Sequence, residues 1–310
     1  MAETADRTAE VVVPKARAAA GAAPWLVNLE RLILPAIVIA AVLAAWQFLP
    51  GWLGIPPYEL PNLSGTLTGL QQDWSTIGTG LLLTIQDALA GFLLGNFLAI
   101  LGATTFAYSR NMERAFYPVA ILVQTIPIIV YVPLLAILFA RVPGLDGNPN
   151  ASAVVGVTVL ITFFPTLVNM AVGFKTIDPR IYEFMVLLNA SKTEIFLKLR
   201  FPSALPFLFS SLKITATLAF VGAVVGEWMT GSGINPVGQL LARVGMKSVL
   251  GFNTDPSNAA GVGGLLNLFY YQIDKPGLFA SVVAISILSI AFFGAMVLLE
   301  RVMVPWQQQR

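Results

Sequence analysis

The sequence predicts an all-α integral membrane protein with six transmembrane helices, and three observations lead to that class. Hydrophobic residues make up 56% of the chain and charged residues only 11%, with a mean hydropathy of +0.78. A soluble chain usually carries about a quarter charged residues, so this chain has too few to cover a soluble surface. Apolar runs long enough to cross a bilayer recur along the chain. Lysine and arginine residues are concentrated in alternate connections between those runs.

The composition also excludes several classes of chemistry. The sequence contains no cysteine and no histidine, which removes disulfides, thiolate metal sites and the commonest general base. It contains neither the Walker A pattern G-x-x-x-x-G-K-[ST] nor G-x-G-x-x-G, the two common nucleotide-binding motifs. We therefore expect a chain that is not an enzyme, with no catalytic residues, no metal site and no bound cofactor.

The N-terminal residues 1–24 are rich in alanine and carry scattered charges of both signs. Acidic residues come first and no apolar stretch follows a basic start, so a secretory signal is not indicated. We interpret residues 1–24 as a disordered cytoplasmic tail. Residues 25–310 are then the membrane domain.

The first two spans are predicted at about 32–49 and 79–106. Between them, Thr66–Trp74 could form a short helix at the membrane interface, where tryptophan is enriched. The second span contains Gly91 and Gly95, a pair of small residues four positions apart. Such a pair permits close contact between two membrane helices.

Two acidic residues lie near membrane depth, Asp87 in the second span and Glu227 at the end of the fifth. A carboxylate there is costly unless it faces a cavity, a partner or the interface. One interpretation is a gate or polar contact along a solute pathway. The other is a helix-end acid at the headgroups, favoured for Asp87 by the helix dipole.

The third span, about 116–139, is interrupted by Pro127 and Pro133 and carries the polar residues Gln124 and Thr125. Broken helices persist in membranes where neighbouring helices or a cavity satisfy the freed backbone groups. This span therefore either borders a solute pathway or is an ordinary kink buried in protein.

The remaining spans are predicted at about 151–172, 204–228 and 278–299. The fifth carries two hydroxyls, Thr215 and Thr217. Because no lysine or arginine lies at mid-membrane, an anionic solute would have to be held by hydroxyls, backbone amides and helix termini.

The stretch between the fourth and fifth spans is the most charged part of the membrane domain. Its first half predicts a short helix, Pro179–Leu188, and a second helix begins at about Lys192. Asn189 separates them, and asparagine is the commonest non-glycine residue in a left-handed conformation. Pro202 ends one helix or opens the next. The pattern predicts a pair of helices, 178–200, outside the membrane and angled to dock a partner.

This stretch resembles the EAA loop of the permease subunits of bacterial ABC importers, in which Glu-Ala-Ala is followed at fixed spacing by glycine and then proline. Glu183 stands at the glutamate position, Asn189 at the glycine position and Pro202 at the proline position. Phe184 and Met185 replace the two alanines, so the groove on the ATPase should differ here. The resemblance implies that the residues coupling the chain to an ATPase are Glu183, Phe184, Met185, Asn189, Ala190, Ser191 and Pro202.

Other segments extend the resemblance to most of the chain. The run from Pro127 to Leu135 is similar to one that borders the translocation pathway in the family, and the segment 261–266 is similar to a glycine-rich run before the last span. Residues 232–260 would be an insertion on the outer face. The pathway or gate candidates are Gln124, Thr125, Pro127, Pro133, Thr215, Thr217, Glu227 and Asp87.

The resemblance implies the six-helix fold of type I ABC importer permeases with cytoplasmic coupling helices, in the subfamily that moves nitrate, sulfonates, taurine, bicarbonate or thiamine and riboflavin precursors. It implies a second permease subunit (a copy or a paralogue), an external binding protein, and a separate ATPase dimer that holds ATP and magnesium. It also implies the bacterial inner membrane. The third span and Glu227 would then lie beside the pathway and its mouth.

The charge distribution predicts the orientation independently. Fourteen lysine and arginine residues fall on the face that contains both termini and the stretch 178–200, against four on the other face. The positive-inside rule places the first face in the cytoplasm. Both termini and the coupling stretch are therefore expected to be cytoplasmic.

Two other functions compete with the importer hypothesis. An ion-driven secondary transporter or channel without an ATPase would need ionisable residues at mid-membrane or inverted repeats, and neither is clear in the sequence. A membrane scaffold that only binds partners is disfavoured by the broken third span.

Overall fold

The computed structural model describes residues 24–142, 149–230, 248–249, 252–253 and 260–305, with side chains from residue 33 onward except in 248–249 and 252–253. The chain divides into two units, Met1–Ile55 and Pro56–Arg310. The predicted tail, except for Pro24, lies outside the described residues, and so does most of the predicted insertion 232–260.

The described residues are almost entirely helical. The helices are α1 (Pro24–Trp52), α2 (Leu63–Gln72), α3 (Trp74–Tyr108), α4 (Arg110–Gln124), α5 (Ile128–Phe139), α6 (Pro149–Gly173), α7 (Pro179–Leu187), α8 (Lys192–Ile195), a π-helical turn (Phe196–Arg200), α9 (Phe201–Thr230), α10 (Val262–Tyr271) and α11 (Lys275–Met303). Two short strands, β1 (Ser248–Val249) and β2 (Phe252–Asn253), pair antiparallel.

By length and composition, five described helical stretches are long and apolar enough to cross a membrane, and the number is six when the bent pair α4–α5 is counted as one span. The five are Ile33–Trp52, Trp74–Tyr108, Pro149–Gly173, Lys192–Thr230 and Lys275–Met303. The number of spans agrees with the prediction. Large apolar side chains are exposed along these helices, as expected where they face lipid; examples are Leu93, Phe97, Ile137 and Ile290.

Each predicted span except the third lies inside one longer helix. The first helix begins at Pro24 and the second span at Trp74, while the last span runs from Lys275 to Met303. Sequence hydropathy marks only the part of a helix in the hydrocarbon, whereas backbone hydrogen bonding continues beyond it. The predicted interfacial helix is α2, and Trp74 belongs instead to the next helix.

The third span is broken at Pro127, as the sequence predicts, whereas Pro133 lies inside α5 and does not interrupt it. Helix α4 begins at Arg110 and ends at Gln124, α5 begins at Ile128, and the two meet at an angle of 107°. Pro127 has no amide hydrogen and disfavours the helical conformation of Ile126 before it. The helix therefore ends before Pro127, and the chain turns almost at a right angle.

Helices α3, α6 and α9 form the centre of the second unit, with α10 and α11 packed against them. Gly91 and Gly95 of α3 lie directly against Thr158, Val159 and Thr162 of α6, where a Cβ atom at either glycine would overlap α6. The hydroxyl of Thr162 also donates to the Gly91 carbonyl at 3.2 Å. The predicted close helix contact at this glycine pair is therefore confirmed.

Candidate functional site

Helix α7 begins and ends through local signals that are visible in the sequence. The Asp178 side chain accepts a hydrogen bond from the Arg180 backbone amide at 2.9 Å, and Pro179 occupies the first turn. These are standard features of a helix start. The helix ends at Leu187, and Asn189 adopts φ 57°. The predicted left-handed break at Asn189 is confirmed.

A capping box starts α8 immediately after that break. The hydroxyl of Ser191 accepts from the Glu194 amide at 3.2 Å, and the Glu194 carboxylate accepts from the Ser191 amide at 2.9 Å. This reciprocal arrangement satisfies two amides that a helix start would otherwise leave free. Ala190 spans the break by donating its backbone amide to the Met185 carbonyl at 3.1 Å. The angle between α7 and α8 is therefore fixed by hydrogen bonds.

Helix α7 is exposed along its whole length although it is rich in apolar residues. None of its residues is buried, and Phe184 and Leu187 are 59% and 80% exposed. Glu183 is also exposed, and Met185 is partly covered. An isolated helix with an unburied apolar surface indicates a protein interaction site. The coupling residues predicted from the sequence thus lie together on one exposed surface, apart from Pro202, which is the second residue of α9.

The exposed surface is attached to the membrane helices by Arg200 and Phe196. The Arg200 guanidinium donates to the Ala107 carbonyl near the end of α3 at 2.8 Å and lies 5.7 Å from the centre of the Tyr182 ring. The Phe196 ring contacts the rings of Tyr108 and Phe174, with centroids 5.0 Å and 5.5 Å away. The π-helical turn is thereby joined to the ends of α3 and α6.

A second candidate region lies at the break between α4 and α5. A cavity of about 370 Å³ is lined there by residues 123–128, by Tyr131, by α6 around Phe164 and Pro165, and by Leu218 of α9. The Tyr131 hydroxyl donates to the Val123 carbonyl at 2.7 Å, and the Thr125 hydroxyl donates to the Leu122 carbonyl at 2.7 Å. These bonds satisfy carbonyls that the break releases.

The structure brings only some of the predicted pathway residues together. Gln124, Thr125 and Pro127 line the cavity at the break, whereas Pro133 is exposed on α5 away from the lining. Thr217 donates to the Ile214 carbonyl of its own helix and does not line the cavity either. No charged side chain is found among the described lining residues.

Thr215 is fully buried in a polar cluster that sequence reasoning missed. The side-chain carbonyl of Asn96 accepts from the Thr166 hydroxyl at 2.6 Å and from the Thr215 hydroxyl at 3.3 Å. The Asn96 amide donates to the Phe92 carbonyl at 2.7 Å. One asparagine thus joins α3, α6 and α9. An asparagine inside the apolar run of the second span was the available signal.

We expect Asn96→Ala to lower the free energy of unfolding by about 2 kcal/mol, because it leaves the Thr166 hydroxyl without its acceptor in a buried site. Asn169→Ala is the matched control, since the Asn169 amide donates to the Pro165 carbonyl of its own helix at 2.8 Å. Unfolding of the two purified variants in mixed micelles measures the difference. Equal losses for both variants would contradict a joining role for Asn96.

The third region surrounds Glu227, which is completely buried. Its Oε2 atom accepts hydrogen bonds from the Thr84 hydroxyl at 2.9 Å and from the Gly263 amide at 2.8 Å. The Thr84 hydroxyl in turn accepts from the Val262 amide at 2.8 Å. The first amides of α10 are thus satisfied by side chains of α3 and α9. Gly261 lies so close that a Cβ atom there would overlap the Glu227 carboxyl group.

Asp87 is buried to 1% exposure and follows Thr84 by one turn of α3. Both acids are therefore enclosed between helices rather than exposed on a helix surface. The reason is that α6, α9 and α10 cover this part of α3, a burial that hydropathy along one chain does not report. Within the described part of the chain, Asp87 Oδ1 and Glu227 Oε1 have no hydrogen-bond partner.

Comparison with known proteins adds independent information. The model of the family described as binding-protein-dependent transport system inner membrane component matches residues 74–304. The formylaminopyrimidine transport permease protein ThiX of Halalkalibacterium halodurans is 29% identical over 277 residues, covering 89% of this chain and 96% of the relative. The riboflavin transport system permease protein RibX of Chloroflexus aurantiacus is 28% identical over 293 residues, covering 92% and 95%. The nitrate import permease protein NrtB of Synechococcus elongatus is 24% identical over 226 residues, covering 67% and 76%.

Proposed function

The chain belongs to the family of binding-protein-dependent transport system inner membrane components and is a permease subunit of an ABC importer, and we propose that it docks its ATPase through helix α7. It is a multi-pass membrane protein that works with an ATPase and a binding protein. The proposal assigns the docking surface, the orientation and the class of solute.

The observation that carries this proposal is the exposed apolar surface of α7. Six large apolar side chains of α7 and its C-terminal end are exposed to between 37% and 80%, namely Ile181, Tyr182, Phe184, Val186, Leu187 and Leu188. A cytoplasmic ATPase with an apolar groove would bury them, and the aromatic residues would supply the contacts that dominate such interfaces. ATP and magnesium would be held by the ATPase, and this chain would bind no cofactor.

The proposed orientation follows from the charge distribution. With α7 in the cytoplasm, both termini are cytoplasmic, and fourteen of the eighteen lysine and arginine residues lie on the same side as the positive-inside rule requires. The N-terminus of α10 and the insertion 232–260 then face outward, where a binding protein would dock. A second permease subunit, identical or paralogous, would complete the pathway.

We assign the cavity at the break between α4 and α5 to the solute pathway. It is about 370 Å³ in volume, which is suited to a small organic molecule, and Tyr131 and Phe164 supply aromatic surface. The absence of charge among its described lining residues favours an uncharged ring compound, such as the substrates for which ThiX and RibX are named, over an inorganic anion. A nitrate-type or sulfonate-type anion is the alternative, and only backbone amides and hydroxyls could hold it.

In the proposed cycle, ATP binding closes the ATPase dimer and moves α7. The joint from Asn189 to Arg200 passes this displacement to α3, α6 and α9. The helices then move as rigid bodies, and the pathway opens alternately to the two sides of the membrane.

Association with the ATPase provides the test. We expect Glu183→Arg and Leu187→Asp each to lower ATPase recovery with the tagged chain from gently solubilised native membranes by at least about tenfold, which corresponds to roughly 1.4 kcal/mol of binding free energy. Either change places a charge where a partner surface must desolvate it. The recovered binding protein then identifies the solute by the ligand it carries.

Glu59→Arg is the matched control, because Glu59 is exposed on the face that the proposal places outside. It should leave ATPase recovery unchanged. Full recovery with both α7 variants, or equal loss in the Glu59→Arg control, would overturn the assignment of the docking surface.

A further inference from the structure

Two buried carboxyl groups, Asp87 and Glu227, lie in the region where α3 and α9 meet the N-terminus of α10, and each has one oxygen without a donor among the described residues. Asp87 projects from the same face of α3 as Thr84, which donates to Glu227, because residues three apart are neighbours on a helix surface. Because Asp87 lies one turn along α3 from the Thr84 donor of Glu227, the two carboxyl groups are near enough to repel one another when both are ionised. In the described part of the chain, Asp87 Oδ1 and Glu227 Oε1 are the buried side-chain polar atoms without a partner.

Two ionised carboxylates cannot both be accommodated in this position. Neither Asp87 nor Glu227 takes part in the ion pairs of the described residues, which join Lys175 to Glu113, Lys198 to Glu194 and Lys213 to Glu300. Like charges close together in a low-dielectric site repel strongly, so one carboxyl of such a pair retains its proton. A single proton would also satisfy both unpartnered oxygens, since it turns one of them into a donor.

The surrounding donors decide which residue is ionised. Glu227 Oε2 already accepts two hydrogen bonds, one of them from Gly263 in the first turn of α10, where backbone amides and the helix dipole stabilise negative charge. The Thr84 hydroxyl accepts from the Val262 amide and donates to Glu227 Oε2, which suits an ionised Glu227 because a carboxylate is only an acceptor. Among the described residues Asp87 has no comparable set of donors, so the proton is assigned to Asp87.

No other titratable group of the packed helices competes for this proton. Helix α6 has no titratable side chain, and those of α10 and α11 lie toward their far ends or are engaged elsewhere. Lys275 at the start of α11 lies over the Tyr270 ring, 4.6 Å from its centre, and Lys213 of α9 pairs with Glu300 at 2.8 Å. The remaining titratable residues on α3, α10 and α11 are Tyr108, Tyr271 and Arg301.

We propose that Asp87 and Glu227 form a buried proton-binding site, in which Asp87 carries the proton and donates a hydrogen bond to Oε1 of the ionised Glu227. The bound proton completes the hydrogen bonding of the carboxylate that holds the N-terminus of α10 against α3 and α9. The site is independent of which solute is carried and of where the ATPase docks.

Infrared spectroscopy of the purified full-length chain in lipid nanodiscs tests the proposal without any substitution. We expect the carbonyl stretch of one protonated carboxylic acid at neutral pH, shifted in heavy water and lost when the pH is raised until the site deprotonates. Selective ¹³C labelling of aspartate carboxyl groups should shift this band, and labelling of glutamate should leave it in place. A band that moves with glutamate labelling overturns the assignment to Asp87.

Asp87→Asn should abolish the band while preserving the fold, because the asparagine amide donates to Glu227 Oε1 without a proton. Asp73→Asn is the matched control. Burial and the neighbouring Asp274 raise the pKa of Asp73, so Asp73 is the aspartate outside the membrane spans that could also give a protonated-acid band. The band should persist in this control. If Asp87→Asn does not fold, the aspartate and glutamate labels in the wild-type chain still show which residue type carries the proton.

Absence of any protonated-acid band in the wild-type chain overturns the proposal. In that case, a melting temperature that rises with sodium or potassium concentration would assign a monovalent cation to the two carboxylates. A band that disappears in Asp73→Asn and persists in Asp87→Asn overturns the proposal equally.

Discussion

Gly263→Leu should reduce solute uptake by the reconstituted importer by more than about tenfold. It should also lower the free energy of unfolding by about 3 kcal/mol, because it overpacks the core and removes a charge-assisted hydrogen bond. A Cβ atom at Gly263 would lie 2.6 Å from the Glu227 Cβ and 2.7 Å from the Trp228 amide nitrogen. Helix α10 would have to move away from α9, and the Gly263 amide would no longer reach Glu227.

The control for this prediction is Gly294→Leu on α11, because no atom lies within 4 Å of the position of a Cβ at Gly294. The same substitution there should leave folding intact. Uptake into proteoliposomes and thermal unfolding of the same preparations give the two readouts. Normal uptake by Gly263→Leu would show that the contact between α9 and α10 is not required during transport.

Gly95→Leu should prevent the chain from accumulating in a folded form. A Cβ atom at Gly95 would lie 2.7 Å from the Val159 carbonyl oxygen and would overlap the Thr162 hydroxyl. Small residues permit the close backbone approach on which contact between membrane helices depends. Separating α3 from α6 at the centre of the unit should cost more than about 3 kcal/mol, a large part of the stability of an ordinary domain.

Gly78→Leu is the control on the same helix, since the nearest atom to a Cβ there, in the Trp74 ring, is 4.0 Å away. Leucine is a better helix former than glycine by almost 1 kcal/mol, so the control variant should fold at least as well as the wild type. Size-exclusion profiles of the two variants after solubilisation compare the yields of monodisperse protein. A normal profile for Gly95→Leu would contradict the importance of this contact.

The coupling stretch could be predicted well because its signals are local. Asp178 and Pro179 start a helix, Asn189 tolerates a left-handed conformation, and Ser191 with Glu194 forms a capping box. Each of these signals acts over about four residues of sequence. The helix ends they predict therefore do not depend on what the rest of the chain does.

The break at Pro127 shows where local signals are insufficient. Proline in an apolar run predicts an interruption, but the same residue is compatible with a mild kink or with a turn. The angle of 107° depends on how α5 packs against α6 and α9. Those contacts join residues that are distant in sequence, so hydropathy and spacing contain no information on the angle.

The environment of Glu227 was unpredictable for the same reason. Its hydrogen-bond partner Thr84 is 143 positions away, and Thr84 accepts from Val262, which is 178 positions away. The sequence identified the acid as costly in a membrane but could not tell which helices cover it. Thr84 is one of many threonines in apolar helices, and nothing in its neighbours distinguishes it.

The fixed angle between α7 and α8 has a consequence for the efficiency of transport. The turn at Asn189, the capping box at Ser191 and the bond from Arg200 to Ala107 join α7 to the membrane helices through defined hydrogen bonds. If the ATPase docks on α7 as proposed, a displacement of α7 is passed to the membrane helices rather than absorbed by a flexible loop, and ATP hydrolysis is then tied to movement of the pathway. On that proposal, the tightness of coupling between ATP hydrolysis and transport depends on a few hydrogen bonds in this short connection.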